Sequence, residues 1–515
     1  MSTELEFGTG GLRGLLGEGK GRMNTQTITR VTQGLADYII RKKGAERGVA
    51  LAFDSRIMSE EFCEAAALCL NANGIRTYRF ANLRPTPELS FAVRHLGCIA
   101  GIMITASHNP AEYNGYKVYW EDGAQITAPV DLEIMEAVRA VTDERKVLHI
   151  SRREALEKGF YHVIGTEADE AYRLEIKRLV LETEAVRAFA GGLKIVYTPL
   201  HGAGAEPVMA VLNELGFTNL YLVTEQVEPD GRFPTVVSPN PEEEEAFTLA
   251  LRLAKKVDAD LVFGTDPDGD RLGVYVKGKE TGEYHRLTGN MTGILLCDYI
   301  LSRKAERGML PAQGAVIKTI VTTDMVNALA GRYGVKVYEV LTGFKYIGEL
   351  IRNWEADDSP VFLFGFEESY GCLTGTYTRD KDAVGAAALL CEAAAYYKQE
   401  EKTLWEQLEN LYLEYGRYEE RLETVTLATD DLGKVRREME AMRMAPPKLL
   451  EGKPVVAIRD YLTGKRQDLQ TGIETDINLP RSNVLYFELA DGGWMCIRPS
   501  GTEPKIKYYY GYCRQ

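Results

Sequence analysis

The sequence predicts three related mixed-sheet α/β domains followed by a smaller C-terminal α+β domain, all set around a central cleft. Three observations predict this class. One local plan occurs three times: strand, amphipathic helix, Gly plus an apolar residue, strand, variable insert, then an apolar strand ending in a polar loop. The spacing within the plan recurs between copies. The last segment, 419–515, abandons it.

The first copy runs from GVALAF (48–53) through the helix EEFCEAAALCLNAN to Gly74-Ile75, and on to IAGIMIT (99–105), which opens onto Ser107. The second runs from LKIVYT (193–198) through AEPVMAVLNEL to Gly216-Phe217 and then DLVFGT (260–265), which opens onto Asp266. The third runs from AVIKTIV (315–321) through DMVNALAGRY to Gly334-Val335 and then VFLFGF (361–366), which opens onto Glu367. From Gly74 to Ser107 is 33 residues, and from Gly334 to Glu367 is again 33. From Gly216 to Asp266 is 50, the excess lying in EPDGRFPTVVSPNPEEEE. Continuous β-branched runs alternating with helices imply parallel pairing, with both sheet faces covered. Ligands of such sheets bind at the carboxyl ends of the strands. Three copies therefore present three chemically different loops to one cleft. The predicted domains are 1–188, 189–305, 306–418 and 419–515. The last holds ETVTL, a charged helix near 430–443, PVVAIRDY and VLYFELADGGWMCIRPSGTEPKIKYYY, the pattern of an antiparallel sheet with a helix.

Composition limits the function. With 515 residues, 45% hydrophobic and 26% charged, the chain can bury several cores, which excludes disorder, collagen-like repeats and a small disulfide scaffold. Sixty-one basic against 75 acidic residues leave a net charge of −14. Such a surface repels phosphate backbones, so no nucleic-acid partner is expected, and an anionic small molecule needs a locally basic pocket. The eight cysteines form no CxxC pair and read as reduced thiols. The opening MSTELEFGTGGLRG lacks the basic start and apolar run of a signal peptide. The most apolar later stretch, AVGAAALLCEAAAYY (383–397), is 15 residues long, contains Glu392 and reads as a buried helix. The expectation is a cytoplasmic protein with no membrane partner, as a monomer or a loose dimer.

Five motifs carry chemistry. In TASHNPAEYNGYKVY (105–119), Ser107 stands on an exposed turn after an apolar strand, where a serine serves as nucleophile or phosphoryl carrier. Lys117 lies ten residues on, as a cation or proton donor. His108 has no Asp and base partner pattern, so a hydrolase triad is not supported. In GTDPDGDRLGV (264–274), Asp266, Asp268 and Asp270 alternate, so in an extended loop they project toward one side, and Gly269 permits a tight fold. Three carboxylates on one turn repel unless a hard cation sits among them, which makes Mg²⁺ the natural occupant. An EF-hand is rejected because Arg271 and Lys277 stand where its Gly and Glu belong. In GFEESYG (365–371), Glu367, Glu368 and Ser369 suit a polyhydroxylated ligand such as a sugar. TGFKYIG (342–348) and TRDKDAVG (378–385) add Lys345, Arg379 and Lys381. In RPSGTEPKIKYYY (498–510), Arg498, Ser500, Gly501, Thr502 and Lys505 match a phosphate dianion. In FGTGGLRGLLGEGKGRMN (7–24), Gly14 to Lys20 nearly spells a Walker A loop, but Gly21 replaces its Ser or Thr and no strand precedes it. Arg13 on this glycine-rich loop remains a phosphate contact.

Taken in order, GTGGLRG, TASHNP, DPDGDR, GFEESYG and RPSGTEP resemble the α-D-phosphohexomutase superfamily of phosphoglucomutases and phosphomannomutases, over nearly the whole chain. The resemblance implies four domains around a cleft, the first three related. It implies that Ser107 is the phosphoserine and, through a phosphoryl oxygen, also a metal ligand beside Asp266, Asp268 and Asp270. Glu367 and Ser369 would bind sugar hydroxyls, with Lys345 near them. Arg498, Ser500, Gly501 and Thr502 would hold the phosphate that is not reacting. Arg13, Lys117 and, more weakly, Lys381 become the residues for proton transfer and charge stabilisation. The implied reaction interconverts glucose 1-phosphate and glucose 6-phosphate through a bound glucose 1,6-bisphosphate, which is also the expected activator. The Glu-Glu-Ser loop resembles that of glucose-handling members. Tyr370 and Gly371 replace the Gly-His of bifunctional mannose/glucose members, so no histidine role carries over. A phosphopentomutase or phosphomannomutase is the nearest alternative. A sugar phosphatase using Asp266 leaves Ser107 and the C-terminal loop without work.

Overall fold

The repeat reappears as hydrogen bonding. The computed structural model describes residues 11–357, 359–426, 432–499 and 505–514. The first sheet holds β1 (Leu12–Leu15), β2 (Val49–Phe53), β3 (Thr77–Phe80), β4 (Ala100–Ile104), β5 (Tyr113–Trp120) and β6 (Tyr161–Ile164), in the order β1-β5-β4-β2-β3-β6. The second holds β7 (Ile195–Thr198), β8 (Leu220–Leu222), β9 (Leu261–Thr265), β10 (Leu272–Lys277) and β11 (Tyr284–Leu287), ordered β11-β10-β9-β7-β8. The third holds β12 (Gly314–Thr319), β13 (Lys336–Val340), β14 (Val361–Glu367) and β15 (Gly371–Leu373), ordered β13-β12-β14-β15. In each, a central strand pairs in parallel with its two successors, and the later successor then pairs antiparallel with the next strand. β2, β4, β9 and β12 are buried along their whole length, as two-sided burial requires.

The mixed pairing predicted for these sheets is present, its antiparallel members being β5, β10 and β15. Each site loop is thus the short connection of a hairpin, which only antiparallel strands permit. Both ends of the loop are fixed by the sheet. The glycine-rich opening, contrary to expectation, is not simply a loop: β1 pairs antiparallel with β5, placing Arg13 opposite Gly115. A Cβ on Gly115 would lie 2.4 Å from the Thr105 carbonyl oxygen, so only glycine lets β1 and the Ser107 loop approach β5 together.

Helices α1 (Thr25–Arg41), α2 (Ser59–Ala72) and α3 (Thr86–His95) cover the first sheet. The apolar helix Ala383–Gln399 is buried on nearly every side and packs among residues of the second and third sheets. No helix among the described residues is long and apolar enough to cross a membrane. Within that helix, the Glu392 carboxylate accepts the Leu181 and Glu182 N–H groups at 2.7 Å and the Tyr299 hydroxyl at 2.8 Å. Burial pushes its pKa up to about 7. The folded pKa exceeds the unfolded value, so this group's stabilisation is complete below about pH 4.5 and is lost as pH rises through about 7. Thermal melts from pH 5 to 8 should therefore fall less steeply for Glu392→Gln than for the unaltered protein, by up to about 3 kcal/mol across the range.

The fourth sheet is antiparallel throughout. It holds β16 (Arg417–Thr426), β17 (Leu449–Leu450), β18 (Lys453–Asp460), β19 (Lys465–Asp468), β20 (Glu474–Asp476), β21 (Leu485–Leu489), β22 (Trp494–Pro499) and β23 (Lys505–Arg514). The order is β16-β23-β22-β21-β18-β19-β20, with β17 paired to β18. The charged helix Leu432–Met444 buries Val435 and Met439 against Phe487 and Met495. An alternating ion chain joins this sheet to the third: Lys318 to Glu339 (3.1 Å), Glu339 to Arg459 (3.2 Å) and Arg459 to Glu488 (2.6 Å).

Candidate active site

The site loops converge on one cleft of about 1560 Å³. Arg13, Ser107, Lys117, Asp270, Glu367, Ser369, Lys381 and Arg498 all line it. Ser107, contrary to the exposed turn expected for it, is 1% exposed. The loop is folded under the strand ends and capped by the second unit, where Ser238 donates to the His108 carbonyl at 3.1 Å. Ser107 has φ +53°, a left-handed conformation that costs a non-glycine residue about 1–2 kcal/mol. Its N–H donates to Thr105 Oγ1 (2.8 Å), which donates to Asp54 Oδ2 (2.6 Å).

The residue that holds this loop is Arg56, which sequence reasoning missed. Its buried guanidinium donates to the Ser107 carbonyl (3.2 and 2.5 Å), to Pro110 (2.9 Å) and Tyr113 (3.0 Å), and to Asn109. Phe233 lies 5.0 Å from its carbon and Asp54 pairs with it at 3.5 Å. Burial, opposed by Asp54, draws the Arg56 pKa down to about 10, so it stays cationic at neutral pH. A signal was available: Asp54-Ser55-Arg56 follows the carboxyl end of β2, where ligand-facing loops of such sheets occur.

Ser107 Oγ donates to Asp266 Oδ2 at 2.6 Å, across 159 residues of sequence. It also lies 3.2 Å from Nδ1 of His108, whose pKa is driven well below its ordinary value by burial and by Arg271 and Arg13. Asn109 Oδ1 accepts from Arg13 Nη1 at 3.0 Å. The three aspartates are buried, with one oxygen from each lying within 4.8 Å of the others. They do not project from an extended loop. The segment is a tight turn in which Asp266 Oδ1 accepts the Asp270 and Arg271 N–H groups (3.0 and 3.1 Å). Gly269 sits at φ +63°, where a Cβ would lie 2.7 Å from Pro85.

Lys117, on β5, donates to Asp268 Oδ2 at 2.7 Å and lies 3.4 Å from Asp270 Oδ2. Lys381 lies 3.1 Å from Asp270 Oδ2 and 3.1 Å from Asp380 Oδ1, and Tyr119 donates to the other Asp380 oxygen at 2.7 Å. Burial alone would lower both lysine pKa values. It is outweighed by Asp268 and Asp270 for Lys117, and by Asp270 and Asp380 for Lys381, so both values rise. Two buried carboxylate oxygens, Asp268 Oδ1 and Asp270 Oδ1, have no protein donor. A buried anionic oxygen without a partner is costly, and a hard divalent cation satisfies such a donor set. The residues present fit a metal.

Glu367 is buried and accepts the Gly343 N–H at 2.8 Å; burial pushes its pKa up to about 7. Glu368 turns instead toward Thr319 and Thr322 (3.2 and 3.3 Å). Arg498 on β22 pairs in register with Lys507 on β23, and both line the cleft. Ser500, Gly501 and Thr502 lie outside the described residues. Two expected cations are placed differently. Lys345 lies 3.6 Å from Asp131 and is not among the cleft-lining residues. Arg379 is fully buried and pairs with Glu355, serving the packing of its loop.

Strand-end loops that bring a buried serine, a carboxylate triad with two open oxygens and a basic strand pair to one cleft define a class of multi-unit α/β enzymes. Sequence models of the phosphoglucomutase/phosphomannomutase α/β/α domains I, II and III match residues 4–145, 171–279 and 288–415. The chain belongs to the phosphoglucomutase/phosphomannomutase family. It is 38% identical over 510 residues to a phosphoglucomutase of Staphylococcus haemolyticus, covering 99% of this chain and 90% of that one. It is 37% identical over 511 residues to a phosphoglucomutase of Staphylococcus aureus, with the same coverage of 99% and 90%. Among solved structures, the open form of the Paramecium phosphoprotein parafusin, a phosphoglucomutase, shares the fold with a TM-score of 0.72 at 17% identity, covering 100% of this chain and 92% of that one. A Burkholderia thailandensis protein of the family gives 0.70 at 18% identity, covering 100% and 94%.

Proposed function

We propose that the protein is a phosphoglucomutase, interconverting glucose 1-phosphate and glucose 6-phosphate with Ser107 as the phosphoryl carrier. The observation that carries this reading is the 2.6 Å hydrogen bond from Ser107 Oγ to Asp266, which puts the buried serine of the TASHNP loop against the carboxylate triad. In the forward half-cycle the bond between phosphorus and Ser107 Oγ breaks as the free hydroxyl of the sugar monophosphate bonds to phosphorus. In the exchange the proton of the sugar hydroxyl is given up and one proton is taken up by Ser107 Oγ, so that the serine ends as a neutral hydroxyl and no net proton is released. The bisphosphate then turns end for end, and its other phosphoryl group returns to Ser107.

Asp266, Asp268, Asp270 and an oxygen of phosphorylated Ser107 would hold Mg²⁺, which when bound supplies Lewis-acid neutralisation of the phosphoryl charge. Lys117 and Lys381, both held protonated by their carboxylate neighbours, bring positive charge to the same point and stabilise the charge of the transferring phosphoryl group. Arg13, on β1 and tied to Asn109, lines the same cleft as Ser107 and would add charge stabilisation there. Glu367 and Ser369 receive sugar hydroxyls. Arg498, with Ser500, Gly501 and Thr502, holds the distant phosphate. Glucose 1,6-bisphosphate, which re-phosphorylates Ser107, is the expected activator, and the units 1–188, 189–305, 306–418 and 419–515 move as domains around the intermediate.

The test is a coupled assay with glucose 1-phosphate, run beside mannose 1-phosphate and ribose 1-phosphate. Glucose should give the highest kcat/KM, with no steady release of inorganic phosphate. Preference for a pentose phosphate overturns the substrate, and phosphate release without isomer overturns the mutase reading. Glu367 adds a pH dependence. A carboxylate accepts sugar hydroxyls better than a carboxylic acid, so kcat/KM should rise through about pH 7 as Glu367 ionises. Glu367→Gln should lower kcat/KM and flatten that rise.

A further inference from the structure

The metal-binding turn belongs to the second unit, yet its central carboxylate is gripped from the first. Thr86, fully buried at the start of α3, donates its hydroxyl to Asp268 Oδ2 at 2.8 Å and its N–H to the Asp268 carbonyl at 2.8 Å, across 182 residues of sequence. Lys117 donates to the same Oδ2 at 2.7 Å. Both donors therefore sit on one oxygen, and Oδ1 is left without a protein donor. The neighbouring Pro85 closes over Gly269, where no side chain would fit. The first turn of α3 is itself anchored. Arg84 binds Asp169 through two hydrogen bonds (2.9 and 2.7 Å), Thr378 donates to the Pro87 carbonyl (3.1 Å), and the Arg379 N–H donates to Ser90 Oγ (2.9 Å). The last two contacts come from the loop that carries Lys381.

We infer that Thr86 is a positioning residue for the metal site, and that it couples metal affinity to the docking of the first unit on the second. This rests on the proposed triad site. The Thr86 hydroxyl fixes the plane of the Asp268 carboxylate so that Oδ1 faces the metal. Groups that orient a metal ligand in this way typically contribute 10–100-fold to affinity. Because the hydroxyl and the carboxylate belong to different units, whatever strengthens one contact strengthens the other.

The probe is Mn²⁺, titrated against the metal-free full-length protein and read by the loss of its free electron paramagnetic resonance signal, so no turnover is needed. Relative to the unaltered protein, Thr86→Val and Thr86→Ala should bind about 10–100-fold more weakly, and Thr86→Ser, which keeps the hydroxyl, within about 3-fold. The upward shift of the melting temperature on adding Mn²⁺ should shrink in Thr86→Val, while its melt without metal shows that the variant is folded. Unchanged Mn²⁺ affinity in Thr86→Val overturns the inference, as does a Thr86→Ser variant as weak as Thr86→Val. Absence of Mn²⁺ binding by the unaltered protein overturns the triad site itself, a result these variants cannot mimic.

Discussion

Ser107→Ala should abolish interconversion of glucose 1-phosphate and glucose 6-phosphate, with turnover falling by ~10⁴-fold or more, because the phosphoryl unit then has no carrier between half-reactions. The fold should survive. Arg56 holds the loop through backbone carbonyls, none of which the substitution touches. What the variant loses is the donor to Asp266 Oδ2, a buried oxygen, and an unsatisfied buried acceptor costs about 1–3 kcal/mol. Activity and stability should thus separate: a modest shift in melting temperature beside a near-total loss of rate. Steady-state kinetics with a thermal melt on the same sample read both. Residual activity within about tenfold of the unaltered enzyme would remove Ser107 from the mechanism, and a phosphatase using Asp266 would be indifferent to the change.

The second large effect is on the metal. Chelation should remove activity, and added Mg²⁺ should restore it. Asp268→Asn should lose about 10²–10⁴-fold in kcat and should not be restored by the same Mg²⁺, since a metal ion supplies several kcal/mol of charge stabilisation to phosphoryl transfer. The amide keeps the size of the side chain but replaces one anionic oxygen of a triad in which two oxygens already lack a protein donor. It also removes the nearest of the carboxylates that hold Lys117 protonated, leaving Asp270 at 3.4 Å, so the lysine should become easier to deprotonate. Full activity of the chelated enzyme, or of Asp268→Asn, would show that the three aspartates serve structure alone.

Much of this molecule can be read along the chain, because its chemistry is local. TASHNP, DPDGDR and EES each occupy a few consecutive residues at the end of an apolar strand. The 33-residue spacing between Gly74 and Ser107, and again between Gly334 and Glu367, reflects one strand order shared by the first and third sheets. What escaped is what depends on distance along the chain. Arg56 grips a carbonyl 51 residues away and Thr86 a carboxylate 182 residues away; the only local hint was the place of Arg56 just after β2, and nothing beside Thr86 marks it. The same limit explains Ser107, which looks exposed from its own loop and is covered by residues of the second unit. Lys345 and Arg379 show the reverse: cations near motifs, drawn aside by Asp131 and Glu355 from elsewhere in the fold. Mixed sheets were legible as a class, but which strands run antiparallel (β5, β10 and β15) was not, because an apolar run does not declare its direction.

The most direct measurement follows one phosphoryl group. Isolated phosphoenzyme is mixed rapidly with glucose 1-phosphate, quenched at intervals, and the peptide 105–119 is weighed by mass spectrometry beside the sugars. Phosphate should leave Ser107 as hexose bisphosphate appears in equal amount, within a single turnover. Phosphate that stays on Ser107 while product accumulates, or that sits on another residue, would contradict the role of this serine as carrier.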